Sequence, residues 1–279
     1  MATDSSSISP RTIVEAFLPA DGAVGLGVIY DTANAMGIDD QPLRLCLRRM
    51  VSAGQIEQTG RGRKGSVALT DAGRDRLRRD RLALRLAFAQ DEGLVPWDGS
   101  WRLVAVSAPE AERSMRDATR RILVDAGAVS ISTGLFISPH DLTDLLDTEQ
   151  QRRIVPITAS DISIGGTSDP RELAAMLWPP EPLLAGYEDL DRVLSSPPAI
   201  DLADAGAILR AQLILADAIE RALRPDPLVP LELREADWKP TRLRREWRRR
   251  WDDLTNRLPD RLLYRDWLPS NHSDPPRIT

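Results

Sequence analysis

The stretch Gln41–Thr70, QPLRLCLRRMVSAGQIEQTGRGRKGSVALT, decides the reading of this chain. Its first half has helical spacing. Leu43, Leu47, Met50 and Val51 recur at steps of four, three and one and share a face, with Cys46 at the edge of that face. Gln41, Arg44 and Arg48 point the other way. Gly54 follows the last apolar position and reads as the helix stop. Two short β-like runs, Gln55–Thr59 and Ser66–Thr70, flank Gly60-Arg61-Gly62-Arg63-Lys64-Gly65. Glycines let such a hairpin reverse tightly, and the three cations at its tip are expected to reach outward. A basic-faced helix followed by a basic-tipped hairpin predicts the recognition helix and wing of a winged helix-turn-helix. The helix would enter the major groove and the hairpin would reach backbone or minor groove.

Upstream, Ser9-Pro10 opens a helix running to about Leu18. Leu26–Met36 is a second helix, striped by Ile29, Ala33 and Met36. Asp39 or Asp40 can cap the third, with Pro42 in its first turn. Downstream, an Arg-rich connector helix runs from Thr70 to about Ala89, with Leu77, Leu82, Leu84 and Leu86 supplying its apolar contacts. A linker, Asp91–Gly99, then precedes a change of pattern. The order is strand Trp101–Val106, helix Pro109–Ala126 (apolar at Met115, Ala118, Ile122 and Ala126), strands Ala128–Ser132 and Gly134–Ser138, short helix Pro139–Leu146 and strand Arg153–Ala159. Strand-helix-strand-strand-helix-strand is the ferredoxin-like order. After a Gly165-Gly166 turn the chain reads as helical: Arg171–Trp178, Glu181–Ser195, Asp201–Leu223 and Thr241–Leu258. Leu202, Ala205, Leu209, Leu213 and Ala216 form one stripe, and Leu243, Trp247, Trp251 and Leu254 another. The expected fold is thus α+β and multidomain: a winged helix-turn-helix with connector over 1–90, a ferredoxin-like βαββαβ domain over 97–168 and a helical domain over 169–279.

With 279 residues, 42% of them hydrophobic, the chain can bury a sizeable core. No apolar run approaches the roughly 20 residues of a membrane helix, and the N-terminus lacks the pattern of a secretion signal, so a cytoplasmic protein is expected. One cysteine excludes an internal disulfide; with His140 and His272 as the two histidines, no structural zinc, and no metal or cofactor, is expected. Net charge is −5, which by itself speaks against a general nucleic-acid binder. Its distribution speaks otherwise. Residues 1–90 carry 13 Lys+Arg against 10 Asp+Glu, and Gln41–Gly65 carries six basic residues against one acid, Glu57.

The candidate DNA-binding residues are therefore Gln41, Arg44, Arg48, Arg49, Arg61, Arg63 and Lys64. Arg44 and Arg48 have the geometry to read guanine and Gln41 to read adenine, while Arg49, Arg61, Arg63 and Lys64 suit phosphate or the minor groove. The competing reading is a solvated helix face; the hairpin behind it favours DNA. His140 beside Asp141 suggests no catalytic triad, because no nucleophile elbow accompanies it, and it reads as a capping position at a helix start. Trp247 and Trp251 among five arginines fit either an anionic-ligand site or a core stripe. The core stripe is preferred, so no effector-binding residue is named.

Three stretches resemble one family. Pro96–Pro139 (PWDGSWRLVAVSAPEAERSMRDATRRILVDAGAVSISTGLFISP) is similar to the middle domain of the PaaX-like transcriptional repressors, named for the phenylacetic acid catabolon. Leu43–Leu69 resembles that family's Arg-rich recognition helix and Gly-Arg wing, and Asp226–Trp238 (DPLVPLELREADW) its Asp-Pro-x-x-Pro-x-x-Leu-x-x-x-x-Trp segment. The resemblance implies a homodimeric bacterial repressor of a catabolic operon. Its N-terminal part would bind double-stranded operator DNA, and its C-terminal part would respond to a small effector, an acyl-CoA or aryl-CoA thioester such as phenylacetyl-CoA. It also implies a middle domain similar to the small ferredoxin-like CRISPR-associated nuclease, in which an aspartate ending the first strand holds a metal. Here that position is Ser107, which argues against a metal-dependent nuclease and for no enzyme activity. A winged-helix adaptor that binds protein is the other alternative, and the charge excess at Gln41–Gly65 argues against it.

Overall fold

Ser9 is extended and its hydroxyl accepts from the Arg11 amide at 3.2 Å, so Pro10 can open helix α1, Pro10–Phe17, at the position where a missing N–H costs nothing. The computed structural model describes residues 8–107, 109, 112–196, 201 and 204–257. After α1, Gly22 at φ +90° admits a three-residue strand β1, Ala23–Gly25, which leads into α2, Leu26–Ala35. Helix α3, Asp40–Ser52, follows, then strands β2, Ile56–Thr59, and β3, Ser66–Leu69. Leu43, Leu47 and Met50 of α3 are buried among α1 and α2. Val51, expected on that face, is 40% exposed; it lies about 80° round the helix from Leu43. The strands form an antiparallel sheet of order β1-β3-β2, with Val24 opposite Val67 and Ile56 opposite Leu69.

Helix α4, Asp71–Asp91, continues from this sheet. Leu77, Leu84 and Leu86 are buried as expected, but Leu82 is 41% exposed. Its last residues, Ala87–Asp91, are buried on every side.

The chain divides into two compact units. Among the described residues, the first gathers 8–85, Asp189–Glu220 and 243–257; the second holds Leu86–Glu188 and Arg221–Arg242. In the second, Asp98 accepts from the Ser100 amide at 2.9 Å and pairs with Arg102, while Gly99 takes φ +79°. That turn launches β4, Trp101–Val106. The rest is α5, Arg113–Asp125, β5, Val129–Ser132, β6, Leu135–Ser138, α6, Thr148–Gln151, and β7, Ile154–Ala159. The sheet order is β5-β6-β4-β7 with every neighbour antiparallel, as a βαββαβ chain gives when its first and third strands are central. One face, through Val104 and Phe136, packs on Leu123 of α5. The other, through Trp101 and Ile137, packs on Leu173, Trp178, Leu233 and Trp238.

Two expectations here need correction. The buried stripe of α5 is centred on Thr119 and Leu123, not on Ala118; a threonine fits inside because its hydroxyl donates to the Met115 carbonyl at 3.0 Å. The helix expected over Pro139–Leu146 is a 3-10 turn, Thr143–Leu145, followed by the capped turn of α6, whose Asp147 and Gln150 bond each other's backbone amides.

The helices that follow are α7, Pro170–Leu177, α8, Pro180–Gly186, α9, Glu188–Ser195, α10, Ala205–Leu223, and α11, Lys239–Thr255. The single helix expected over Glu181–Ser195 is broken at Tyr187, whose hydroxyl is held by the Asp226 carboxylate at 2.6 Å. The stripe expected on α10 is incomplete: Ala205 is exposed, Leu209 half-buried, and Leu202 lies outside the described residues. From Ala211 the helix is buried nearly all round, and polar residues are enclosed with it. Gln212 bonds the Thr255 hydroxyl at 2.7 Å, and Asp217 takes the Thr12 hydroxyl at 2.8 Å and the Ser9 amide at 3.1 Å. No helix among the described residues is long and apolar enough to cross a membrane.

Candidate nucleic-acid interface

Helix α3 is closed at its C-terminal end by its own backbone. Asp39 occupies the cap position without a side-chain bond, so neither aspartate caps it as expected. At the other end Gly54 takes φ +65°; its amide bonds the Val51 carbonyl at 2.9 Å and the Gln55 amide bonds that of Met50 at 2.9 Å. With one face in the core, the other presents Gln41, Arg44, Leu45, Arg48 and Arg49, all exposed. Arg44 leans back along the helix, donating to the Asp40 carbonyl at 3.3 Å and pairing with its carboxylate at 3.8 Å. The side chains of Arg48 and Arg49 make no hydrogen bond or ion pair among the described residues.

The hairpin turn is a six-residue reversal. Gly60 at φ +77° and Gly62 at φ +58° frame a 3-10 turn, Gly62–Lys64. Arg61 and Lys64 are exposed and make no side-chain bond among the described residues. Arg63 departs from the expectation that all three cations reach outward. Its guanidinium is paired with Asp31, bonded to the Asn34 amide oxygen at 2.5 Å, 3.4 Å from Asp40 and 5.3 Å from the Tyr30 ring centre. Burial raises the Tyr30 hydroxyl's pKa, with Arg44, Arg63 and Arg48 opposing it. The acids that hold Arg63 lie on α2 and at the start of α3, upstream of the stretch whose charge the sequence weighs. Spacing gives no sign that they return to the turn.

Elsewhere the other candidates settle into structural places. Cys46 is half-buried, and burial pushes its thiol pKa up, against Arg11, which fits packing rather than reactivity. Trp247 and Trp251 are buried and stacked at 5.0 Å, and the Trp247 indole donates to the Leu215 carbonyl at 2.8 Å, so these rings are core. The α4 arginines pair locally: Arg74 with Asp71, Arg78 with Asp75 and Arg76 with Asp80. Gly165 and Gly166, both at positive φ, turn the chain between Ile164 and Thr167. Ser107 is exposed and its amide bonds the Arg153 carbonyl at 2.8 Å. Among the described residues no group of three or more His, Cys, Asp or Glu is placed to hold a metal. His272 lies outside the described residues.

His140 is not a surface cap. It is half-buried, its Nε2 lies 2.7 Å from the Leu228 carbonyl, and desolvation lowers its pKa despite that bond. The same carbonyl accepts from Gln90 at 2.8 Å, and Leu228 itself has φ +51°. The Asp226–Pro230 segment is therefore fixed by Gln90, His140 and Tyr187, and a sequence cannot show this, because the partners lie far away along the chain.

No curated protein matches the chain. A solved structure, the uncharacterized protein Rv0674 from Mycobacterium tuberculosis, is 23% identical, with 91% of this chain and 96% of that chain covered and a TM-score of 0.49. Residues 94–174, which include the β5-β6-β4-β7 sheet, match the family model described as the PaaX protein central Cas2-like domain. The resemblance read from Pro96–Pro139 is thereby shown for the middle domain, which is similar to the central domain of the PaaX protein.

Proposed function

We propose that the chain is a DNA-binding transcriptional regulator in which α3 is the recognition helix of a winged helix-turn-helix and the β2–β3 hairpin its wing. The observation that carries this is the exposed stripe Gln41-Arg44-Arg48-Arg49 on a helix whose opposite face is sealed into a three-helix core. Arg48 and Arg49 have no partner among the described residues, and unpaired Arg61 and Lys64 sit on the adjoining hairpin. The element order α1-β1-α2-α3-β2-β3, with a β1-β3-β2 sheet, is that of a winged helix and supports the reading. PaaX-like proteins are a family of transcriptional regulators, and the ferredoxin-like strand order of the middle domain agrees with its match to that family's central domain. In this reading the chain acts as a homodimeric repressor, since two half-sites double the contacts of one small head. A small effector, an acyl-CoA or aryl-CoA thioester, favours a dimer geometry whose recognition helices no longer match the half-site spacing.

The test is selection of a binding motif from random duplex DNA, followed by titration of variants. Arg48→Ala should weaken the selected site by about 1–3 kcal/mol and leave nonspecific DNA less affected. Lys64→Ala should weaken both evenly and reduce the salt slope by about one. If no motif is enriched, or if binding does not respond to salt, the proposal fails.

A further inference from the structure

We infer that Arg63 is a positioning residue of the wing and not a DNA contact; the inference rests on the winged-helix reading. Its guanidinium joins three groups from two helices, Asp31 and Asn34 of α2 and Asp40 at the start of α3, while lying against the Tyr30 ring. The backbone of the same turn is held as well. The Gly65 carbonyl accepts from the Leu26 amide at 2.8 Å, and the Arg63 carbonyl lies 3.3 Å from where a side chain on Gly27 would begin. Asn34 is itself fixed, its amide donating to the Ile38 carbonyl at 3.0 Å and to Asp40 at 3.1 Å. Side chain and main chain thus clamp the wing tip to α2.

Turning Arg63 to a phosphate would leave Asp31 facing the same polyanion uncompensated and Asp40 with Arg44 alone. In place, it neutralises them and fixes the turn from which Arg61 and Lys64 project. A planar fork is needed to span three acceptors and stack on a ring, so lysine is not equivalent.

The experiment uses full-length Arg63→Ala, Arg63→Lys and Asp31→Asn proteins. Arg63 is 46% exposed, so these changes spare the core. Without DNA, amide hydrogen exchange over residues 60–65 should quicken roughly 3- to 10-fold in all three. Exchange as slow as in the wild type would overturn the brace. With DNA, the second readout is the ratio of affinities for a selected site and for nonspecific duplex, which cancels the general gain from losing a negative charge. Asp31→Asn should lower that ratio as Arg63→Ala does. If instead Asp31→Asn strengthens binding to both duplexes and leaves the ratio unchanged, Arg63 is a phosphate contact held in check and the inference is wrong. A chain that binds no DNA refutes the functional proposal, while the exchange measurement still decides whether Arg63 braces the turn.

Discussion

Gly65→Ala gives the sharpest test of how closely the β2–β3 hairpin approaches α2. Gly65 closes the turn with φ −77° and ψ 174°, a conformation open to alanine, so the backbone does not require glycine there. Space does. A Cβ at this position would lie 2.9 Å from the Thr59 carbonyl oxygen, 3.2 Å from the Gly60 carbonyl carbon and 3.2 Å from Cδ1 of Leu26. Two of those neighbours are backbone of the same hairpin and the third is a fully buried side chain of α2, so the turn itself must move. Overpacking of this kind costs about 1–3 kcal/mol, and the stiffer unfolded chain returns about 0.4–1 kcal/mol, leaving a net loss of about 1–2 kcal/mol. Gly62→Ala is the control: nothing lies within 4 Å of its Cβ, but φ is +58°, so a similar loss of about 1–2 kcal/mol arises from backbone strain without displacing the turn. Urea unfolding measures both losses. DNA titration then separates them: Gly65→Ala should bind a selected site more weakly although every cation remains, and Gly62→Ala should bind nearly as the wild type does. If Gly65→Ala retains wild-type stability and affinity, the contact between the hairpin and α2 is not as described.

Other positions give independent checks. Gly127 has φ +88°, and its Cβ would lie 2.5 Å from Pro227 Cβ, so Gly127→Ala should cost about 2–5 kcal/mol in the second unit's unfolding; a loss under about 1 kcal/mol would refute that approach. Burial lowers the His140 pKa, so below the unfolded value of about 6.5 the unfolded chain binds more protons than the folded one, and stability falls with pH at up to about 1.4 kcal/mol per unit until the folded pKa is passed. The His140→Gln variant should lack this acid limb, whereas Glu15, whose pKa burial raises, acts with the opposite sign and favours the folded chain as pH falls; a limb that survives in the variant assigns it elsewhere. Arg234 is 6% exposed, its side chain bonds, among the described residues, only the Trp178 carbonyl at 3.0 Å, and it stacks 4.8 Å over Trp238; one guanidinium nitrogen has no partner among the described residues, and burial lowers its pKa against the pull of Asp226. Arg234→Met should therefore cost no more than about 1 kcal/mol in urea unfolding, and a loss above about 3 kcal/mol would show the charge to be better compensated than these contacts imply.

The helices, strands and glycine stops of the first 90 residues are local events, so they could be read from spacing and caps. Strand β1 could not. Ala23-Val24-Gly25 is too short to show alternation, and it is a strand because β3 offers it an edge. The α5 stripe was misplaced by one position because Thr119 is polar by type and yet satisfied within its own helix. The same limit governs the C-terminal helices. Leu243, Trp247, Trp251 and Leu254 announced a buried stripe and form one, whereas α10 is buried on several sides and encloses Gln212 and Asp217, whose partners no periodicity reveals. Asp226–Trp238 could be recognised as a motif. Its fixing by Gln90, His140 and Tyr187 could not be read from sequence, because those bonds span 138, 88 and 39 residues.

Charge makes the same point for the candidate interface. Along the sequence, Gln41–Gly65 sets six cations against the single acid Glu57. In space Asp31 and Asp40 join that surface, and the surplus shrinks. The loss is not spread evenly, because both acids converge on Arg63 and Asp40 also takes Arg44. Arg48, Arg49, Arg61 and Lys64 keep no partner among the described residues, so the surface remains cationic where it is open. Each neutralised phosphate contributes about −0.9 to the salt slope, so four such cations allow about −3.6 for one head, and the six-cation count would overstate it. A chain of net charge −5 can hold a polyanion only where its acids are already occupied, and on this surface Arg63 and Arg44 occupy them.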